Sequence, residues 1–231
     1  MRKVLITGAT GGIGSAAAEA FRGEHLHLHY HSSHDKAAVL QSRFPGSEWI
    51  QADLAAVEAA DTLAAFLPDP DVIIHCAGNA SASLFQDADL TEWQREMNTA
   101  LFTPAAYLQQ VLAAMIRKQA GAIVIMTSIW GETGAAMETT YSSVKAAQIG
   151  FIKALAKETA PSGITVNGCA PGLMATDMNS TLSTEALEQL HEEIPAGRSG
   201  RPEEAAAAAH YLAGASYVTG HILRVNGGWY T

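Results

Sequence analysis

Short apolar runs of strand length alternate along this chain with longer stretches of helical pattern, and that alternation restricts the fold more than any other feature. Strands are expected at 4–7, 26–30, 49–52, 72–76, 122–127, 165–169 and 222–225. Helices are expected at 12–21, 35–43, 57–66, 91–117, 139–158 and 202–212, with a shorter one at 184–193 inside a polar stretch spanning 172–200. Repeated strand–helix–strand units require parallel strands joined by right-handed crossovers, with helices on both faces. Burial on both faces explains why 72–77 and 122–127 read as continuous apolar runs. The expected fold is an α/β doubly wound parallel sheet of about seven strands.

The chain has 231 residues, 48% of them hydrophobic and 16% charged, which is enough to build a core and too apolar for disorder. No linker, repeat or low-complexity tract interrupts it, so residues 1–231 are read as one domain. A formal net charge of −9 argues against a nucleic-acid partner, which needs a basic stripe. The start, Met1-Arg2-Lys3 before Val4, enters a glycine turn too soon for a signal peptide, and no apolar run approaches a membrane span. Cys76 and Cys169 sit in apolar runs and read as buried, reduced thiols. A cytoplasmic protein is expected.

The first strand leads into Thr7-Gly8-Ala9-Thr10-Gly11-Gly12-Ile13-Gly14. Glycines there let the backbone approach a pyrophosphate, and the following helix aims free N–H groups and a positive dipole end at it. Glycine clusters also serve ordinary turns; the position between first strand and first helix gives this one its meaning. Tyr141 and Lys145 stand four apart on an expected helix and share a face. A free tyrosine, with a pKa of about 10, exchanges protons poorly near neutrality. A neighbouring ammonium favours the phenolate and is expected to lower that value. Ser128, ending the fifth strand, reaches the carboxyl edge of the sheet, where such sheets bind ligands, and its hydroxyl can hold a carbonyl oxygen.

These motifs resemble the short-chain dehydrogenase/reductase family along almost the whole length. Gly8, Gly12 and Gly14 match its TGxxxGxG signature. Ala52-Asp53-Leu54 is similar to the adenine-contacting segment after strand three, and Ala77-Gly78 to the end of NNAG, with His75-Cys76 replacing the asparagines. Asn98, Ser128, Tyr141 and Lys145 match the catalytic set, Pro171-Gly172 and Thr176 the PGxxxT loop, and Thr219-Gly220 to Gly227-Gly228 the terminal motif, with Asn226 in place of Asp. The resemblance implies a Rossmann-type fold and a nicotinamide cofactor that donates hydride to a ketone, or takes it from an alcohol. It implies that Tyr141 supplies the proton, that Lys145 also bonds the nicotinamide ribose, and that Asn98 positions a water beside the lysine. Thr7, Thr10 and Ile13 fall within the implied cofactor contacts.

An acidic residue closing strand two would bind a ribose 2′-hydroxyl and repel a 2′-phosphate. Tyr30-His31-Ser32-Ser33-His34 offers none before Asp35, so NADP is favoured through His31 and Ser32, with NAD left open; Gly11 stands where many relatives have a loop arginine. His25, His27, His29 and His31 alternate onto one strand face. No Cys or carboxylate joins them on the strand, and the reaction needs no metal, so none is expected.

The chain looks most like β-ketoacyl carrier-protein reductases, with Gly197-Arg198 and Pro202-Glu203-Glu204 fitting their GRxGxPEE pattern. Such enzymes carry basic residues near the strand-five entrance and before strand six; here Gln119 and Ser162 stand there, with Arg117 and Lys118 as partial compensation. The segment from Trp130 to Glu138 is similar to one in reductases of 5-aminopentanone-modified elongation factor P, and a carboxylate near the mouth suits a cationic substrate. Alternatively, Trp130 and Glu138 only pack and cap the helix start. The expected substrate is thus a ketone or alcohol, free or linked to a carrier or a protein. A homotetramer or homodimer is expected from the resemblance. A cofactor-binding regulator or a scaffold on the same fold is the competing class, disfavoured by the intact set at 98, 128, 141 and 145.

Overall fold

The structure is a computed structural model that describes residues 1–179 and 182–231. Strands β1 (Lys3–Thr7), β2 (His25–Tyr30), β3 (Glu48–Gln51), β4 (Val72–His75), β5 (Gly121–Met126), β6 (Ile164–Pro171) and β7 (Ile222–Val225) form one sheet, in the order β3-β2-β1-β4-β5-β6-β7. All six pairings are parallel. The chain runs outward from β1 to β3, then returns to place β4 on the other side of β1. This reversal opens a crevice at the carboxyl ends of β1 and β4.

Helices α1 (Gly12–Ala20), α2 (His34–Arg43) and α9 (Pro202–Gly214) bury one face of the sheet. Alanines 16, 17 and 18 of α1 and 205, 206 and 209 of α9 let these two helices approach each other and the sheet closely. The opposite core holds Leu63 of α3 (Ala59–Phe66), Tyr107, Leu108, Val111 and Met115 of α5 (Thr103–Lys118), and Ile152 of α7 (Thr139–Thr159). Leu5, Ile73, Ile123 and Val166 face this layer, while Val4, Ile6, Val72 and Val124 face the other; the alternation along each strand feeds two cores at once.

The helix expected over 91–117 is one rod in three parts. An α-helical segment, α4 (Leu90–Met97), widens into a π-helical turn over Asn98–Phe102 before α5 continues. Such a turn leaves backbone carbonyls outside the regular ladder, and it frequently marks functional positions. By length and composition, the rod Leu90–Lys118 could cross a membrane. Its Tyr107, Leu108, Val111 and Met115 are instead buried against the sheet. Two further α-helices are α6 (Trp130–Thr133), which the sequence reading did not anticipate, and α8 (Thr184–Glu193).

Candidate active site

β1 delivers the chain into the glycine turn at the crevice. Gly8 has φ +65°, and a Cβ there would lie 2.9 Å from the Ala77 backbone. A Cβ at Gly14 would lie 2.1 Å from the Gly8 carbonyl oxygen, so α1 can pack on the turn only with glycine at that position. The N-terminus of α1 has no side-chain cap and no acidic residue in its first turn, which leaves its N–H groups and dipole available to an anion.

Two adjoining cavities of about 500 and 510 Å3 meet over this turn. The first is lined by Thr10, His31, Ser32, Asp53, Leu54 and Ala77, the second by Gly12, Ile13, Gly14, Ser128, Tyr141 and Lys145. Pro171, Gly172 and Thr176 close the second, while Gly8 and Gly78 belong to both. The result is one groove, with hydroxyl, imidazole and carboxylate groups at one end, bare backbone in the middle, and Ser128, Tyr141 and Lys145 at the other. A dinucleotide fits that order of groups.

Two expected residues stand outside the groove wall. Thr7 is buried; its hydroxyl meets His75 Nδ1 at 2.7 Å and accepts from the Ala77 N–H at 3.3 Å, so it ties β1 to β4. Asn98 donates its side-chain amide to the Ala55 carbonyl at 2.8 Å and accepts from Gln94. Its side chain is therefore committed away from the lysine. The π-helical turn begins at this position.

At the reactive end, α7 aims Tyr141 and Lys145 at β5. Lys145 is buried, donates from Nζ to the Met126 carbonyl at 2.8 Å, and stands 5.5 Å from the Tyr141 ring centroid. Burial lowers its pKa to about 8, against the raising influence of Cys76 and Glu96. Tyr141 behaves opposite to the expectation. Burial raises its pKa to about 12, Glu138 and Glu96 add to the rise, and only Ser128 beside it favours the phenolate. Desolvation of the buried phenolate is the largest influence on this group. Burial thus keeps Tyr141 protonated near neutrality.

At the nucleotide end, His31 Nε2 lies 3.8 Å from Asp53, whose other oxygen meets Arg95 at 3.3 Å. Lys36, which the sequence reading passed over, lines the same cavity and pairs with Asp177 across its mouth. Its basic side chain in the first turn of α2 was the available signal. Glu96 was also missed. It is buried, accepts from the Ser81 hydroxyl at 2.6 Å, and lines the groove. A lone Glu on a polar helix face gives no sequence signal of burial.

The segment 130–138 divides into separate roles. Trp130 meets Trp229 edge-on at 4.9 Å, and Glu132 pairs with Arg224 at 2.7 Å. Glu138 precedes α7, but its side chain makes no capping bond, so the capping reading fails. Burial raises its carboxyl pKa, and its charge is felt at Tyr141. Gln119 and Ser162 lie together at the amino-terminal edge of the sheet, where a Cβ on Gly163 would be 2.5 Å from the Gln119 carbonyl oxygen. That edge is opposite Ser128 and Tyr141. Lys118, also there, is held by Asp71 at 2.7 Å and by the Asp69 carbonyl. These positions therefore stand at the edge of the sheet away from this subunit's own substrate mouth.

Residues 8–230 match the family profile described as "Enoyl-(Acyl carrier protein) reductase". The chain belongs to the short-chain dehydrogenase/reductase family. It is an oxidoreductase by that membership. It is 43% identical over 239 residues to the Bacillus subtilis (strain 168) protein named "Uncharacterized oxidoreductase YmfI", covering 99% of both chains. To the 3-oxoacyl-[acyl-carrier-protein] reductase FabG of Vibrio harveyi it is 35% identical over 234 residues, covering 98% of this chain and 96% of the other. A solved short-chain dehydrogenase/reductase superimposes with TM-score 0.88 at 29% identity, over 99% of this chain and 97% of that one. In this family's terms, Tyr141, Lys145 and Ser128 converge where the glycine-turn groove ends, as the motifs implied.

Proposed function

We propose that this chain is an NADPH-dependent ketone reductase of the 3-oxoacyl-[acyl-carrier-protein] reductase type. The observation that carries the reading is the meeting of Ser128, Tyr141 and Lys145 at one end of a groove whose floor is the glycine turn. The bound nicotinamide supplies the hydride. Ser128 donates a hydrogen bond to the substrate carbonyl oxygen. Tyr141, kept protonated by burial, passes its proton to that oxygen as negative charge develops there. Lys145 remains beside the phenolate so formed, and its ammonium stabilises it until a proton returns. The wide turn at Asn98 offers a carbonyl that can hold a water for that return.

The preference for NADPH is supported by the nucleotide end, where Ser32, Ser33 and Lys36 line the wall. An exposed ion pair such as Lys36–Asp177 contributes little, so Lys36 can turn to a 2′-phosphate at small cost. The decisive experiment is loss of NADPH absorbance with a ketone panel that includes β-ketoacyl thioesters. No turnover on any ketone would favour a non-catalytic regulator. We also propose that the chain acts in the cytoplasm as a homotetramer or homodimer; light scattering that gave a monomer at micromolar concentration would overturn the assembly.

A second reading is favoured by one observation, the uncapped, partly buried carboxylate of Glu138 whose charge reaches Tyr141. It suits an amine-bearing ketone, such as 5-aminopentanone carried on elongation factor P. Glu138→Gln should then raise KM for an aminoketone by about 5- to 150-fold with little change in kcat, the pattern of lost uniform binding. A β-ketoacyl thioester should be unaffected or slightly better. Equal behaviour on both substrates would return the assignment to the carrier-protein reading.

A further inference from the structure

The histidine-rich face of β2 and the histidine that ends β4 meet the glycine turn from both sides. His29 and His75 are both buried, 1% and 2% exposed. The N–H of Gly8 reaches His29 Nδ1 at 3.2 Å, and the N–H of Ala9 reaches the His29 carbonyl at 2.8 Å. Two successive donors of the turn therefore end on one residue. A backbone N–H can only donate, so Nδ1 of His29 must accept and carries no proton. The ring proton then sits on Nε2, which lies 3.0 Å from the Ala52 carbonyl at the end of β3, a group that can only accept. The bonds fix both the tautomer and the absence of charge.

His75 repeats the arrangement from the other flank. Thr7 Oγ1 accepts from the Ala77 N–H and can donate its own proton to His75 Nδ1 at 2.7 Å, the arrangement that leaves the ring proton on Nε2. Nε2–H then points toward the Ala100 carbonyl, outside good hydrogen-bonding geometry. Ala100 lies in the π-helical turn, and its carbonyl also accepts from Gln148 of α7 at 2.7 Å. His75 thus lies between the glycine turn and the turn at 98–102, whose Ala100 carbonyl is bonded to the helix that carries Tyr141 and Lys145.

We propose that His29 and His75 are positioning residues of the cofactor site. Each holds the glycine turn through an unprotonated Nδ1 and directs its Nε2–H at the backbone of a neighbouring element. The inference rests on the dinucleotide reading of the groove. It gives the alternating histidines a physical role at one position: the Gly8 N–H is taken by His29, while the first N–H groups of α1 remain for the pyrophosphate. The groups around the two rings suit the uncharged form. Burial dominates at both; His31 also disfavours a charged His29, against the opposing pull of Asp53 and the Ala52 carbonyl, and Lys145 and His29 disfavour a charged His75, against the Ala100 carbonyl. Burial holds His29 near pKa 4 and His75 near 3, so both stay neutral through the physiological range.

The test joins a ligand-free measurement with a binding one. Imidazole 15N chemical shifts of the wild-type chain should show Nδ1 of His29 and His75 unprotonated, with the proton on Nε2, from neutral pH down to about pH 5. A proton on Nδ1 of His29 would overturn the proposal without reference to any ligand. In fluorescence titrations with NADP+, His29→Leu should weaken Kd by about 5- to 150-fold, the cost of a buried donor left unpaired. His29→Asn, whose Oδ1 can stand in for Nδ1, should recover most of that loss, and kcat at saturating cofactor should fall less than affinity does. Unchanged affinity in His29→Leu would overturn the role. Should the wild-type chain bind neither NADP+ nor NAD+, the dinucleotide reading itself fails and the cofactor-positioning role with it, while the 15N shifts would still separate that failure from an error in the tautomers.

Discussion

The two ends of the groove are built on different physics. At the nucleotide end, His31, Asp53, Arg95 and Lys36 are solvated, and charges are balanced by neighbours at the surface. At the reactive end, Lys145 is buried, and burial moves both its proton affinity and that of Tyr141, in opposite senses. Recognition of an anionic cofactor needs charges that can exchange water for ligand. Proton transfer needs groups whose affinity is set before the substrate arrives. Desolvation sets the proton affinities at the reactive end, and ion pairing sets the charge balance at the nucleotide end.

Removing the phenol hydroxyl tests the buried end most severely. Tyr141→Phe should cost about 10²–10⁴-fold in reductase rate while NADPH binding stays close to wild type, because only the proton donor is lost. Stopped-flow reduction with parallel cofactor titration checks it, and wild-type turnover would end the assignment. The same end should carry the pH dependence. Lys145 is a cation below its lowered pKa and neutral above it, so turnover should fall as pH rises through about 8. Tyr141 keeps its proton to about 12 and cannot cause that limb. A rate flat to pH 10 would show that Lys145 is not depressed.

Substitutions at the solvated end should redistribute cofactor preference instead. His31→Asp should move kcat/KM toward NADH by about tenfold or more, by placing a carboxylate where a 2′-phosphate would sit. Lys36→Ala should raise KM for NADPH by about fivefold and leave that for NADH unchanged. Equal shifts for both cofactors would place Lys36 away from the 2′-position. The smallest effect is expected beyond the groove. Gln119→Arg, at the far edge of the sheet, should leave kcat/KM for a free ketone within about twofold.

Much of this was legible in order and spacing. The strand–helix alternation forced the parallel sheet, and the glycine turn, Ser128, Tyr141 and Lys145 follow one another at positions that this topology must bring to its carboxyl edge. Their meeting in the groove needed only that one rule. The long helix was legible as a helix but not as one with a wide turn at Asn98, since an extra residue in a turn leaves no mark on apolar periodicity. Glu138 read equally well as a cap or a substrate contact; only its bonding geometry removed the cap.

The sequence by itself therefore determined the fold, the edge of the sheet where the groove lies and the set of residues proposed to move the proton, because chain order and side-chain chemistry are local and topological facts. The tertiary structure decided everything that depends on what surrounds a group. It set Tyr141 above rather than below its free proton affinity, turned Asn98 toward Ala55, placed Gln119 far from the mouth, and turned His29 and His75 onto the glycine turn. Burial and hydrogen-bond partners come from segments distant in sequence, and desolvation depends on all of them at once.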